Sequence, residues 1–448
     1  MENTQKYTKS VAISLVIANM IGTGVFTSLG FQIGPLGGSG FAILFLWLIG
    51  GIIALSGAFS YAEIGTMIKG SGGEYNYLGR IYHPALGFIS GFVSLILGFA
   101  AAIGAVSMGV GEYFSPVVGD ANPKIIAIGV IIFLSGIHLL GVKKGGNFQN
   151  FMTYFKLLLI FFFCVSPFFI DFESTNINFT PQEGDWQIIG SSAFAMSLAW
   201  IMFAYSGWNA STYIAGNMEN PKRNLPFSLL VGTIVVSILY LFLNGTFLSV
   251  GPLTEMTASG ANGFNVDVGN VAANTLFGNK LGLVFASLFS LALLSSVSAM
   301  IISGPRVLER IGQDYPALNK VAIKNKAGAP ALAIFIQAAI AVIFVFLTSF
   351  QELIIFIAVT LTIFALLTVI GIYVMRIKEP NTERPYKTWG YPFSPLIFII
   401  ASLWMLFFFV KDKPLSILFA LAFIFVGLIL YFVLKPSKKN AEDILDQN

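Results

Sequence analysis

Apolar stretches of about 17–25 residues recur from one end of this chain to the other, each long enough to cross a hydrocarbon core ~30 Å thick as a helix. No other feature limits the fold so strongly, because lipid offers no hydrogen-bond partners and a spanning segment must satisfy its own backbone. The stretches fall at 10–34, 40–66, 85–113, 124–142, 150–170, 189–215, 226–250, 279–305, 330–348, 352–376, 393–410 and 414–434. Only 10% of the 448 residues are charged, far below the roughly 25% of an ordinary soluble domain. Lys6 and Lys9 precede the first stretch as they would a signal peptide. Its apolar run of about 24 residues exceeds the ~7–15 of a cleaved core, so it reads as a first span. The loops are short, the longest lying around 171–188, 251–278 and 306–329. The expected fold is all-α integral membrane with about twelve transmembrane helices.

Composition excludes several kinds of site. The single cysteine, Cys164, rules out a disulfide framework, and two histidines, His83 and His138, are too few for a multi-histidine metal centre. No metal or cofactor is expected, and no nucleic acid partner. Charge placement sets the orientation. With both termini on one side, that side holds twenty of the 25 lysines and arginines, and the opposite side holds Lys124, Lys280, Lys411 and Lys413. The positive-inside rule then predicts cytoplasmic termini, an even number of spans and residence in the cell inner (plasma) membrane. The acidic loop of Asp171, Glu173, Glu183 and Asp185 would face outward.

Two stretches carry polar interruptions. Gly22-Thr23-Gly24 lies near the middle of the first, and Phe203-Ala204-Tyr205-Ser206-Gly207-Trp208-Asn209 interrupts the sixth. Glycine costs about 1 kcal/mol against alanine inside a helix, so these sites predict local unwinding. The competing reading is close approach of two packed helices. Spans one and six are five helices apart, and a repeat with an odd number of crossings must invert. Interrupted helices at matching places in two inverted halves point to a midplane binding site. The half-helix starting near Gly24 would aim unpaired N–H groups at a carboxylate. Carbonyls freed near Phe203 to Ser206 would suit an ammonium. Such a pair of walls selects a zwitterion without any charged side chain, and none is expected nearby.

Several motifs resemble the amino acid–polyamine–organocation superfamily, closest to its L-type amino acid transporter branch. They are Ile21-GTGVF, Ser60-Tyr61-Ala62-Glu63 with Ser71-GGEYNYL, Gly141-Val142-Lys143 leading to Gln149 and Lys156, Phe203-AYSGWN, Glu219-NPKRNLP, Ser303-GPRV, and Arg384-Pro385-Tyr386 with Tyr391-Pro392. The resemblance implies a cytoplasmic N-terminus at 1–9, a ten-helix 5+5 inverted-repeat core at 10–376, peripheral helices at 377–434 and a cytoplasmic tail at 435–448. It further implies alternating access around discontinuous helices one and six. By position, Gly22, Thr23 and Gly24 would meet the substrate, with Thr23 and Gly24 on its carboxylate. The carbonyls of Ile21, Phe203, Ala204 and Ser206 would take its amine. The Phe203 ring would gate the site and Asn209 would brace the unwound segment. Lys156 would stand where relatives bind sodium, linking spans one and eight, which implies sodium-independent exchange or facilitated diffusion of neutral L-amino acids. Mammalian members join a heavy subunit through a cysteine between spans three and four. The segment 111–122 has none, so a disulfide-linked partner is not expected.

Other residues carry plainer expectations. Ser71-Gly-Gly-Glu74 has capping-box spacing, and a short interfacial helix is expected after it. Glu63 and Glu74 then read as structural groups of a cytoplasmic loop. No aspartate or glutamate is expected at the membrane centre, which disfavours the alternative, a proton-coupled amino acid or polyamine carrier. Gly98, Phe99, Ala100, Ala101, Ile103 and Gly104 of span three read as helix packing rather than cavity wall. A membrane-embedded enzyme is disfavoured because the loops hold no nucleophile, base or metal cluster. Gly24→Leu is expected to abolish binding while sparing the fold.

Overall fold

Small polar residues and prolines mark where helices begin. Thr8, Ser39 and Ser191 each accept a hydrogen bond from the amide three residues on, at Val11, Ala42 and Phe194, satisfying a donor that the first turn leaves free. Pro84, Pro123 and Pro221 open their helices, where a missing N–H is no loss. In this computed structural model, which describes residues 6–172, 175, 177–257, 268–347, 350–412 and 414–434, these signals yield an all-helical chain. Its longer elements are Lys9–Met20, Gly40–Met67, Pro84–Val93 continued to Phe114, Pro123–Leu139, Val142–Val165, Ser192–Tyr205, Pro221–Val250, Val268–Asp314, Ala331–Leu347, Phe350–Lys378, Phe393–Asp412 and Pro414–Leu434. Among the described residues the extended pairing is one isolated bridge, Tyr7 with Met218. Glu173, Lys413 and the tail 435–448 lie outside the described residues.

Nine helices among the described residues are long and apolar enough to cross a membrane. Three of the expected stretches fall short of that measure for physical reasons. Pro123–Leu139 and Ala331–Phe346 are shorter apolar helices, and the sixth stretch is divided at Ser206. The eighth, Leu281–Asp314, runs past its expected end, and a separate helical segment from Val268 meets it at a kink where Gly278 adopts φ 72°.

The outer surface is apolar. Phe168, Leu158, Phe335, Phe425 and Phe432 all stand exposed, over far more area than a water-soluble monomer displays. The chain is a multi-pass membrane protein. Burial grades from centre to edge: 78% of the most apolar stretch of Lys9–Thr27 is buried, against 11% for Ile417–Leu434. The first helix is central because Pro221–Val250, Val142–Val165 and Val268–Asp314 all pack around it.

Glu63, at the end of Gly40–Met67, is a structural hub. Arg376 Nη2 and Arg384 Nε donate to its carboxylate at 2.7 and 3.2 Å, and the Thr388 amide donates at 2.7 Å. One buried carboxylate thus ties the second helix to the tenth and to the loop that follows it.

Candidate functional site

The first helix stops at Met20. Ile21 leaves helical geometry at ψ 78°, and a new helical turn begins at Gly24. Among the described residues, the amides of Thr23, Gly24 and Val25 find no backbone acceptor, and the buried Thr23 hydroxyl is also unpartnered. The carbonyls on the other side of the break are met by neighbouring helices, as burial away from water requires. Lys156 Nζ and Ser296 Oγ donate to Ile21 O at 2.5 and 2.7 Å, and Lys156 also donates to Ser296 Oγ at 2.7 Å. Lys156 is fully buried, and its amino group links spans five, one and eight.

The sixth span breaks in the same layer. Ser206 turns extended at ψ 153°, Gly207 takes φ 93°, and a tight helical stretch follows from Ala210 to Asn217. Glycine is required at 207 twice over, by that backbone angle and by Asn19, whose Cβ would lie 2.7 Å from an added Cβ. Tyr240 bridges the two breaks, with its hydroxyl 2.5 Å from Met20 O and 2.8 Å from Ala204 O. A phenol has one proton to donate, so one of these two carbonyls always has spare acceptor capacity.

Between the breaks lies a cavity of about 120 Å³. A cavity needs only roughly 10–15 Å³ to admit one water, so this one has room for a small solute or several waters. Gly22, Thr23, Gly24, Phe203, Ala204, Ser206 and Asn209 all line it. Ile21 does not line the cavity: its side chain is buried elsewhere and both acceptor positions of its carbonyl are occupied by Lys156 and Ser296. Met20, unremarked in the sequence, stands in its place on the wall.

Span three divides differently from the packing-only expectation. Ser94–Ala101 is π-helical, a register shift common where helices border functional sites. It turns Gly98, Phe99, Ala102 and Val106 to the cavity. Ala100, Ala101 and Ile103 remain in packing, and Gly104 admits the Ala341 carbonyl 3.1 Å from where its Cβ would be.

Two expectations about the loop after span two are overturned. The helix Glu74–Ile81 forms, but without the capping box. Ser71 Oγ instead accepts from the Gly216 amide at 3.0 Å and donates to Asn217 Oδ1 at 3.1 Å. Gly70, Gly72 and Gly73, all at positive φ, let the loop press against the second half of span six. Glu74 therefore reaches the cavity rather than the surface, so a charged group does lie nearby. Tyr61 Oη donates to its Oε1 at 2.6 Å and Asn209 Nδ2 at 3.1 Å, while Oε2 is buried without a partner. Burial pushes this carboxyl up to about 7, with the Tyr61 and Asn209 hydrogen bonds pulling the other way. Asn209 thus ties the second half of span six to Glu74.

Gly24 carries more than a cradle. A Cβ there would lie 2.9 Å from Ala204 Cα, whereas one on Gly22 would meet only Val106 Cγ2 at 3.9 Å. Gly24→Leu would therefore disrupt the contact between spans one and six, against the expectation that the fold is spared.

Among the described residues no group of three or more histidine, cysteine, aspartate or glutamate side chains could hold a metal. Residues 10–437 match the protein family described as amino acid permease. The chain is 30% identical to the serine/threonine exchanger SteT of Bacillus subtilis, over 96% of each chain. It is 27% identical to the human b(0,+)-type amino acid transporter 1, covering 94% of this chain and 86% of the other. Identity to the human cystine/glutamate transporter is 26%, over 92% and 81%.

Proposed function

The chain belongs to the amino acid permease family, and from that premise we propose that it exchanges small neutral L-amino acids across the plasma membrane by alternating access, without sodium. Its relatives are transporters, not enzymes. One observation carries the reading: two helix breaks face each other across a cavity with room for a small solute, with free amides on one and spare carbonyl capacity on the other. A carboxylate on Thr23, Gly24 and Val25 amides receives the hydrogen bonds that the backbone lacks. An ammonium donates to the carbonyls of Phe203, Ala204, Ser206 or Met20. Phe203 stands over Gly24 and serves as the gate.

Sodium independence rests on Lys156. Its amino group occupies the junction of spans one, five and eight, on the Ile21 carbonyl and Ser296 hydroxyl that a bound cation would otherwise take as ligands. Neutral substrates follow from Glu74. Its Oε1 is held by protein donors and its burial favours the uncharged acid, so it is no standing counter-ion for a cationic side chain. The remaining architecture is proposed with it: about twelve spans, a 5+5 inverted repeat with two peripheral helices, cytoplasmic termini, and operation without a disulfide-linked subunit.

Counterflow into proteoliposomes preloaded with serine tests the reading. Uptake of serine and threonine should persist when sodium is replaced by choline, and arginine uptake should be at least tenfold slower. Collapse of uptake without sodium would end the Lys156 argument, and preferred arginine uptake would end the neutral one.

A further inference from the structure

Among the described residues, Glu74 is the one carboxyl group on the cavity wall, and zwitterion recognition leaves it unused. The groups facing it are Tyr61 from span two, Tyr77 from its own helix, and Asn209 and Tyr213 from the second half of span six. None is cationic, and among the described residues Glu74 makes no ion pair. Its Oε2 is buried without a hydrogen-bond partner among the described residues, and the residue lines the cavity. An ionised carboxylate in such a place keeps an unpaired charge away from water, which is far more costly than burying the neutral acid.

The position of Glu74 in the chain makes this state conditional. It directly follows the glycine-rich loop that packs against the second half of span six, whose Tyr213 lines the cavity. The Gly72 amide donates to Tyr213 O at 3.1 Å, and Ser71 takes the Gly216 amide. Gly73 sits so near span six that a Cβ would lie 2.7 Å from the Tyr213 ring. Withdrawal of this loop breaks the Asn209 contact and carries the carboxylate toward water. Docked and withdrawn loops therefore differ in proton affinity, and such a difference is reciprocal: what moves the loop moves the proton.

We propose that Glu74 is a proton-binding site in the floor of the cavity, loaded while the 68–73 loop is docked and emptied as the floor opens. A proton is thereby taken up and released within each cycle, and low pH holds the floor closed. The idea rests on the transporter reading and adds a second ligand, a proton, to the same cavity. The side chain binds no part of the substrate in this scheme.

Two measurements on the full-length protein in proteoliposomes decide it. The first treats wild type with dicyclohexylcarbodiimide, which reacts with protonated buried carboxylic acids, and maps the adduct by peptide mass spectrometry. Glu74 should be labelled at about pH 5.5 and several-fold less at about pH 8.5. The second follows serine counterflow over the same range. Wild-type rate should rise at least about fivefold with pH, while Glu74→Gln, whatever its absolute rate, should vary less than about twofold. Absence of a pH-dependent adduct at Glu74, or a wild-type pH profile retained in E74Q, overturns the proposal. If E74Q does not fold, the wild-type labelling alone decides. A protein without counterflow of any amino acid at any pH fails as a transporter, whereas the labelling still reports on the proton site.

Discussion

Lys156 and Glu74 are both buried charges-in-waiting, and their different surroundings give them different consequences. The lysine has two close oxygen partners, so its amino group is part of the structure. Lys156→Met leaves the Ile21 carbonyl with Ser296 alone, and hydrogen bonds to charged groups contribute about 1.5–3 kcal/mol each. Counterflow should fall at least about tenfold and the detergent-solubilised protein should melt earlier. Unchanged melting and exchange would mean that the lysine is ornamental. Glu74 lacks such partners, and its folded-state carboxyl lies near 7, above the ordinary 4.5. A raised acid binds its proton more tightly in the folded protein, so its stabilisation is complete below the unfolded value and is lost as pH rises through the folded one. The melting temperature in detergent should therefore drop between about pH 5 and pH 8. The difference between wild type and Glu74→Gln isolates this group, because it subtracts every other titration. A difference independent of pH would assign the carboxyl an ordinary proton affinity.

At the scale of helices, the two glycines of the first break have opposite jobs. Gly24→Ala drives a methyl against the Ala204 backbone and should destabilise the contact of spans one and six by about 1–3 kcal/mol, read as a lower melting temperature. Gly22→Ala meets open space and should preserve melting while weakening serine affinity several-fold, because the methyl projects along the cavity wall. If both variants behaved alike, the division between packing and cradle would fail. These breaks were legible in the sequence because glycine and polar residues inside an otherwise apolar run have few meanings in lipid. The cavity residues of span three were not, since Gly98 and Ala102 look like packing residues until a π-helical register turns them. Glu74 escaped for a related reason. Ser71-Gly-Gly-Glu74 matches a capping box in letters, yet three glycines at positive φ send the loop inward. Such glycine density was the available sign that the segment is no ordinary surface turn.

Over the whole molecule, the two broken spans are tied together on either side of their breaks by different chemistry, and this asymmetry predicts which side yields to which substitution. Beyond the breaks from Tyr7, Phe31 stacks on Trp200 at 4.3 Å, a largely apolar contact. On the side of Tyr7, the contacts are polar. Tyr7 exchanges backbone hydrogen bonds with the segment after span six, through Asn217 and Glu219. Its hydroxyl accepts from Arg306 Nη2 at 3.2 Å, and Arg306 Nη1 donates to Glu309 at 2.6 Å. Span eight thereby clasps the pair formed by the start of span one and the end of span six. Removing one member of a buried ion pair costs about 3–5 kcal/mol, and each 1.4 kcal/mol shifts a two-state population tenfold. Part of that loss falls on Glu309, which keeps Lys324 at 2.8 Å, so the clasp itself should weaken by less than the full amount. Arg306→Gln should accordingly open the polar end and leave the aromatic end closed. With Cys164 replaced by serine and Ala102, on the cavity wall, replaced by cysteine, a membrane-impermeant maleimide reports the opening. Labelling from the side of Tyr7 should rise at least about tenfold in the Arg306→Gln background and stay unchanged from the opposite side. The same reagent applied to sealed vesicles of known orientation tests whether that side is cytoplasmic, as the clustering of lysine and arginine predicts. Increased labelling from the aromatic side instead would show that Arg306 supports the general packing of span eight and not a closure at one end.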